Sequence, residues 1–440
     1  MRKGYSLFGS IPELIGEDPE HDMLSRRDEY WMAQALLEGM KGCGLSEPNP
    51  GVGCILVNKD GIAVSRGSTE VCGQRHAERV AIEALSPEHN PHELTLYCTL
   101  EPCSHTGRQP PCVDLIIGAG IKRCVVGVGD PDLRVNGRGF STLRAAGVEV
   151  ETGVLGSEVA AWHLPFLMRH SMGRPLIVGK WAQTLDGQLA FDSGTPRWVS
   201  CAESRICAHW LRQRYDAILV GAGTAIADKP TLTVRNSPLP IHRQPVRVLF
   251  DPSGRVFQVS DTDWQTLRAT LFSLDSPVVV VRKPLQTTLD ADRWSELEAL
   301  GHIHLHIIPP GTDALKYMIA SLSEPSVAAD LGRPINSVLV EGGPKLLSLL
   351  LQRDLVDIAH VFQSSAIGGG QHARLMSPPE RLSALSTMDI VNTAQIKTDV
   401  LIELANKPVK DILQLADVSA KAVGPELRYL LEPRGDFINV

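Results

Sequence analysis

The chain has 440 residues, with 43 Lys and Arg against 50 Asp and Glu and a formal net charge of −7. Its 43% hydrophobic and 21% charged residues exclude a disordered or collagen-like chain, and its length holds two or three domains of roughly 100–200 residues. No apolar run approaches the roughly 18 residues of a membrane helix, and the mild acidity argues against a dedicated nucleic-acid binder.

Met1 to His21 carry Arg2 and Lys3 without an apolar run behind them, so they do not read as a secretory signal. A cytoplasmic protein is expected. Residues 27–40 read as an amphipathic helix with Tyr30, Ala33, Leu36, Leu37 and Met40 on one side. Pro48-Asn49-Pro50-Gly51 is a loop, Val52–Val57 a strand and Asn58–Gly61 a hairpin turn. A helix over Ala77–Leu85, a strand at Leu94–Cys98, a helix at Val113–Ala119 and a strand at Cys124–Val128 follow. A Gly-rich loop, a short helix to Ala146 and the strand Val148–Glu151 complete an α/β pattern.

Trp162–Arg174 reads as a short linker, because a second α/β pattern begins just after it. Strands are expected at Leu176–Val178, Ala217–Val220, Val246–Phe250, Val278–Val281 and Val338–Val340, with helices at Ala202–Arg214 and Lys345–Leu351. The expected organisation is an extension over 1–24, a domain over 25–165, a second over 174–405 and, over 406–440, a tail that is either separate or part of the second domain. The segment after Met388 has no clear pattern.

Seven of the nine cysteines lie between Cys43 and Cys124. Among them stand His76-Ala77-Glu78, Glu101-Pro102-Cys103 and, after eight intervening residues, Cys112. One imidazole and two thiolates suit Zn²⁺, and three protein ligands leave the fourth tetrahedral position for water. Glu78 is close enough to His76 to carry a proton without ligating the metal, the logic of zinc-dependent nucleobase deaminases. A structural zinc is the alternative, with His105 as fourth ligand, although its spacing from Cys103 is tight. Cys43, Cys54, Cys72, Cys98 and Cys124 read as small core residues.

The stretch Tyr97-Cys98-Thr99-Leu100-Glu101-Pro102-Cys103-Ser104-His105-Thr106-Gly107-Arg108-Gln109-Pro110-Pro111-Cys112 resembles the deaminase half of the bifunctional riboflavin-biosynthesis deaminase/reductases. Eight residues between the cysteines, rather than two, mark that branch. Asn49–Cys54, Gly129-Asp130-Pro131 and Val135–Gly139 resemble the family's loops around a phosphoribosylaminopyrimidine. The resemblance implies a cytidine-deaminase-like three-layer α/β fold. It also implies zinc on His76, Cys103 and Cys112, Glu78 as catalytic acid/base, and Asn49 at the substrate.

Lys180–Gly187, Trp198, Val220–Thr224 with Ala227-Asp228, and Glu341–Pro344 resemble, in order, the family's reductase half. That half implies a dihydrofolate-reductase-like fold using NADPH. By this resemblance Ala182, Trp198, Thr224, Asp228 and the run from Gly343 contact NADPH, while Arg212, Leu232, Arg235 and Glu341 hold the sugar phosphate and pyrimidine; Lys180 reads as orienting substrate or balancing charge, or else as a surface lysine at a strand end. Independently, glycines between a strand and a helix let backbone N–H groups approach a pyrophosphate, though Gly221-Ala222-Gly223 lacks a third glycine. Four departures stand out: Thr184 for serine, Lys229 for a second aspartate, Pro196 for a hydroxyl residue, and Val361–Ser365 without the family's Pro-Lys.

The expected protein deaminates 2,5-diamino-6-(5-phosphoribosylamino)pyrimidin-4(3H)-one and then reduces the ribosyl chain to ribityl with NADPH. It is expected to form a homodimer or higher homo-oligomer, with no nucleic-acid or membrane partner. Two alternatives stand beside it. One is a nucleic-acid base deaminase with an RNA-positioning second half; the other is a deaminase whose second half is a non-catalytic dimerisation scaffold.

Overall fold

The computed structural model describes residues 22–107, 109–131, 137–189, 199–237, 239–284, 287–366, 388–396 and 399–409. Trp198 and Pro196, Arg108, Val135 and Asn136, and most of the expected extension and tail lie outside the described residues. The chain divides into two compact units, one ending at Met172 and one running from Gly173 to Val409.

The first unit runs α1 (Asp22–Met40), β1 (Gly53–Val57), β2 (Ala63–Ser68), α2 (Ala77–Glu83), β3 (Thr95–Leu100), α3 (Cys112–Ala119), β4 (Arg123–Val128), α4 (Arg138–Ala145), β5 (Glu149–Thr152) and α5 (Gly156–Met172). The sheet order is β2-β1-β3-β4-β5. The β1–β2 hairpin turns where Asn58 Oδ1 accepts from the Asp60 and Ile62 N–H groups, and Gly61 takes φ +78°. Every residue of β1 is buried, and so are all but the first of β3 and of β4, as in a sheet covered on both faces.

Close approaches assign the helices to those faces. A Cβ on Gly53 would lie 1.8 Å from the Ala35 carbonyl of α1, and one on Gly67 would lie 2.3 Å from the Ala77 carbonyl of α2. Gly67 is the cross-strand partner of Cys54, so Gly53 and Gly67 point to opposite faces, and α1 and α2 cover opposite sides. His163 of α5 reaches Thr99 Oγ1 at 3.0 Å, and Thr99 Oγ1 also accepts from Gly53 N–H. Helix α5 therefore lies on the α1 side, giving three layers.

The second unit runs β6 (Leu176–Gln183), α6 (Ala202–Arg214), β7 (Ala217–Gly221), α7 (Ala222–Asp228), β8 (Val246–Phe250), α8 (Asp261–Ala269), β9 (Val278–Arg282), α9 (Thr288–Glu298) and β10 (Ile303–Ile307). It continues through α10 (Ala314–Ser321), α11 (Pro325–Leu331), β11 (Ser337–Val340), α12 (Pro344–Gln352), β12 (Ile358–Ser364), β13 (Asp389–Ile396) and β14 (Asp399–Ala405). Its sheet order is β10-β9-β8-β7-β11-β6-β12-β14-β13. The strands from β10 through β12 pair in parallel, and β14 and β13 add antiparallel at one edge. The Val361–Ser365 run is mostly β12, with Phe362 beside Ala182 of β6.

Two buried carboxylates close the N-terminal ends of these strands. Asp216 accepts from Arg243 and Arg333 side chains and from the Asn336 and Ser337 N–H groups. Asp357, fully buried, takes both arms of Arg174 at 2.7 Å and the Ile177 N–H at 2.8 Å.

Three expectations need correction. Residues 162–172 belong to helix α5, not to a linker: Val159, Ala160, Leu164, Leu167 and Met168 make a buried stripe that holds the helix despite Pro165. In α1 the buried residues are Trp31, Met32, Ala33, Ala35, Leu36 and Met40, whereas Tyr30 is 46% exposed. Cys72 is only partly buried, unlike Cys43, Cys54, Cys98 and Cys124.

Asp357→Ala strands Arg174 and the Ile177 N–H without their acceptor. It is expected to cost about 3–5 kcal/mol, the usual loss when one partner of a buried pair is removed. Urea denaturation checks this; an unchanged midpoint would show that water replaces the carboxylate without loss.

Candidate active site

The three expected metal ligands come from three different segments. His76 stands in extended conformation immediately before α2, so Glu78 falls in that helix's first turn, where a carboxylate suits the helix dipole. Cys103 follows β3, and Cys112 is the first residue of α3. The ligand atoms of His76, Cys103 and Cys112 lie within 4.8 Å of one another, the one such group among the described residues. His76 Nδ1 is 3.6 Å from Cys103 Sγ and 3.5 Å from Cys112 Sγ. A tetrahedral Zn²⁺, with Zn–S of about 2.3 Å and Zn–N of about 2.0–2.1 Å, separates its sulfur and nitrogen ligands by about 3.6 Å. The donor set and its spacing both fit zinc.

The Cys112 N–H donates to Cys103 Sγ at 3.3 Å, which places the positive end of α3 on that sulfur. Hydrogen bonding with the Cys112 side chain, and next with the His76 ring, pulls the Cys103 thiol down to about 4 against the opposing effect of burial. Burial pushes the Glu78 carboxyl up to about 7, and the neighbouring Cys103 charge adds to the push. A carboxyl in that range can both take and give a proton near neutrality.

Asn49, His76, Glu78 and Cys103 share the wall of one cavity of about 410 Å³ with Cys72, His105, Phe166 and His170. His105 thus lines the cavity and is not part of the three-residue ligand group, which leaves the fourth metal position to solvent or substrate. The Asn49 loop is held from α5, where Trp162 Nε1 donates to the Gly51 carbonyl at 2.7 Å. Phe166 and His170 were hidden from sequence reasoning because their segment reads as a linker.

Glu101 is the other residue that sequence reasoning left without a role. Its Oε2 accepts from Asp130 N–H at 3.2 Å and Gly137 N–H at 3.0 Å, and its Oε1 from Gly139 N–H at 2.9 Å and Phe140 N–H at 3.4 Å. One buried carboxylate thereby ties the segments on either side of residues 132–136 to the strand end that carries Cys103. Gly139 is needed for the approach, since a Cβ there would lie 2.4 Å from the Pro102 carbonyl. The signal available was an acid beside Pro102-Cys103 together with the glycines at 129, 137 and 139.

In the second unit the expected residues gather at the C-terminal ends of adjacent parallel strands, where α/β sheets bind ligands. Thr224 in α7 accepts from the Gly343 N–H at the start of α12 at 2.7 Å, joining the loops after β7 and β11. Nothing lies within 4 Å of where a Gly223 side chain would be, and the two helix starts leave a cradle suited to a pyrophosphate. Ala182 lies near the end of β6 and Asp228 ends α7. Lys229 forms an ion pair with Asp263 at 2.7 Å, so the reversed charge beside the loop is already neutralised.

Arg212 and Glu341 form a two-pronged pair at 2.6 and 2.9 Å. Against the opposing effect of burial, Arg212 holds the Glu341 carboxyl down at about 2, with help from Lys180 and His209. Burial lowers the pKa of Lys180, partly offset by Glu341, and the ammonium stands over the Phe362 ring at 5.6 Å. Leu232 is buried with φ +56°, and Arg235 is exposed on the same loop.

Comparison with known proteins bears on both units. Residues 25–128 match the cytidine and deoxycytidylate deaminase zinc-binding region, and residues 175–402 match the RibD C-terminal domain. The riboflavin biosynthesis protein RibD of Aquifex aeolicus is 36% identical over 79% of this chain and 89% of its own. That of Escherichia coli is 33% identical over 86% of this chain and 99% of its own.

The chain belongs to the RibD family.

Solved structures agree. The diaminohydroxyphosphoribosylaminopyrimidine deaminase/5-amino-6-(5-phosphoribosylamino)uracil reductase of Thermotoga maritima superposes with a TM-score of 0.72 at 32% identity, covering 87% of this chain and 99% of its own. RibD of Acinetobacter baumannii gives 0.68 at 30% identity over 87% and 99%. By accepting four backbone N–H groups, Glu101 is placed to steady the strand end that carries Cys103. Glu101→Ala is expected to weaken zinc binding by about tenfold, the low end of the range for losing a ligand's support, because Glu101 bonds no ligand directly. Competition with a chromophoric chelator measures it; unaltered affinity would show that Cys103 is held without this carboxylate.

Proposed function

We propose that the protein carries out two consecutive steps of riboflavin biosynthesis. The first unit hydrolytically deaminates 2,5-diamino-6-(5-phosphoribosylamino)pyrimidin-4(3H)-one to 5-amino-6-(5-phosphoribosylamino)uracil. The second reduces the ribosyl side chain to ribityl with NADPH. The observation that carries the reading is the three-ligand triangle opening, beside Glu78, into the cavity that Asn49 lines. Family membership over both halves supports the pairing of the two activities.

His76, Cys103 and Cys112 would hold Zn²⁺, which when bound lowers the pKa of the water in its fourth position to make a nucleophile at neutral pH. Glu78 takes a proton from the attacking water and passes it to the pyrimidine ring nitrogen, then takes a second proton from the newly added hydroxyl and delivers it to the departing amine. Its burial suits it to both directions of transfer. Asn49 orients the ring against the cavity wall.

In the second unit the Thr224–Gly343 junction, Ala182, Trp198 and Asp228 would bind NADPH, whose nicotinamide supplies the hydride. Arg212 and Arg235 hold the sugar phosphate, where a guanidinium can donate two hydrogen bonds at once. Glu341 fixes Arg212 in that geometry, and Lys180 and the buried Leu232 complete the substrate wall. The Lys229–Asp263 pair accounts for the charge reversal that otherwise counts toward a scaffold. A homo-oligomer and a cytoplasmic location complete the proposal; among the described residues no helix is long and apolar enough to cross a membrane.

Glu78→Gln is expected to retain zinc and lose at least about 10²-fold in ammonia release. Near-normal deamination by that variant would remove Glu78 from the mechanism. Cys103→Ser is expected to lose both zinc and ammonia release while keeping NADPH affinity, followed by nicotinamide fluorescence; loss of both activities would mean that the units do not work independently.

A further inference from the structure

The loop after α7 is held residue by residue. Arg212 Nη1 donates to the Thr233 carbonyl at 3.1 Å, and Gln244 brackets Val234 with bonds of 2.7 and 3.1 Å. The Arg235 N–H donates to His209 Nδ1 at 3.3 Å. His209 lies one turn before Arg212 on α6 and shares its face of the helix. Because Nδ1 is the acceptor, the neutral ring carries its proton on Nε2. Among the described residues, Nε2 has no hydrogen-bond partner. Burial, then Arg212 and Arg235, push the imidazole down to about 4, and Lys180 adds to them against Glu341. At neutral pH it is an uncharged donor within a group of cations.

We propose that His209 is a positioning and phosphate-binding residue of the reductase site: Nδ1 fixes the loop that presents Leu232 and Arg235, and Nε2–H donates to the phosphate monoester of the substrate. The proposal rests on the reading of Arg212 and Arg235 as the substrate's phosphate contacts. A neutral donor is the appropriate third partner there. It adds a hydrogen bond to the dianion without adding a third repelling charge when the site is empty.

The test compares wild type with H209A, H209N and H209Q, and with R235A as reference. Asparagine places an amide oxygen near the Nδ1 position and keeps the bond to Arg235, whereas glutamine places an amide N–H near Nε2. H209A is expected to raise the reductase KM about tenfold or more, leave kcat within about threefold, and weaken inorganic phosphate binding in calorimetry about tenfold. H209Q should recover phosphate binding, and H209N should recover only part of the KM. NADPH affinity and ammonia release should stay within about twofold in all three. KM and phosphate affinity unchanged in every His209 variant, with R235A impaired, would overturn the inference while leaving the proposed function standing. Equal losses of kcat and NADPH affinity in all three would also overturn it, by making His209 a fold residue. Wild type that binds inorganic phosphate through His209 but oxidises no NADPH with the ribosylamino substrate would instead overturn the reductase reading alone.

Discussion

Two sulfur atoms and one imidazole nitrogen, from segments up to 36 residues apart, must be kept within 4.8 Å of one another. Much of the first unit follows from that constraint. Two soft anionic ligands repel each other and need fixed positive partners. The chain supplies them from helix starts: α2 begins after His76, α3 begins at Cys112, and the first N–H of α3 falls on Cys103. Glu101 then fixes the strand end carrying Cys103 by accepting four backbone N–H groups. Glycines at 53 and 67 let α1 and α2 press onto the sheet from opposite sides, and Gly67 seats the first residue of α2 directly against β2.

The second unit solves a different electrostatic problem with the same architecture. Its parallel strands gather cations at their C-terminal ends, where Lys180, Arg212 and Arg235 stand with Glu341 as the compensating carboxylate. Their N-terminal ends are closed by Asp216 and Asp357, each saturated by arginines and backbone N–H groups. At the C-terminal ends Arg212, Arg235 and Lys180 lie close enough to lower the His209 pKa together, a local positive cluster that suits a phosphorylated substrate.

The metal triangle was legible because its chemistry needs particular residue types at fixed spacings, and His76, Cys103 and Cys112 carry that spacing openly. The parallel core strands were legible for the same kind of reason, as short runs of Val, Leu and Ile between turn residues. What stayed hidden depends on tertiary packing. The end of α5 contains Pro165 and several polar residues, so its buried stripe outweighs a local signal for a linker. Strand β10 alternates His with Ile and Leu, and among the described residues β13 and β14 form an antiparallel edge beside β12, so their local patterns are weak. Glu101 and His209 act through backbone groups far along the chain, which no spacing rule reveals. Lys229 looked like an electrostatic fault in the sequence, and only the placement of Asp263 on α8 shows how it is balanced.

The central claim is that the metal site has three protein ligands and an open fourth position. X-ray absorption at the zinc edge of the purified protein tests it most directly. One zinc per chain is expected, with two sulfur neighbours at about 2.3 Å, one imidazole nitrogen at about 2.0–2.1 Å and one oxygen from solvent. A shell of four protein ligands, with His105 or Cys72 completing it and no oxygen, would make the site structural and contradict the account.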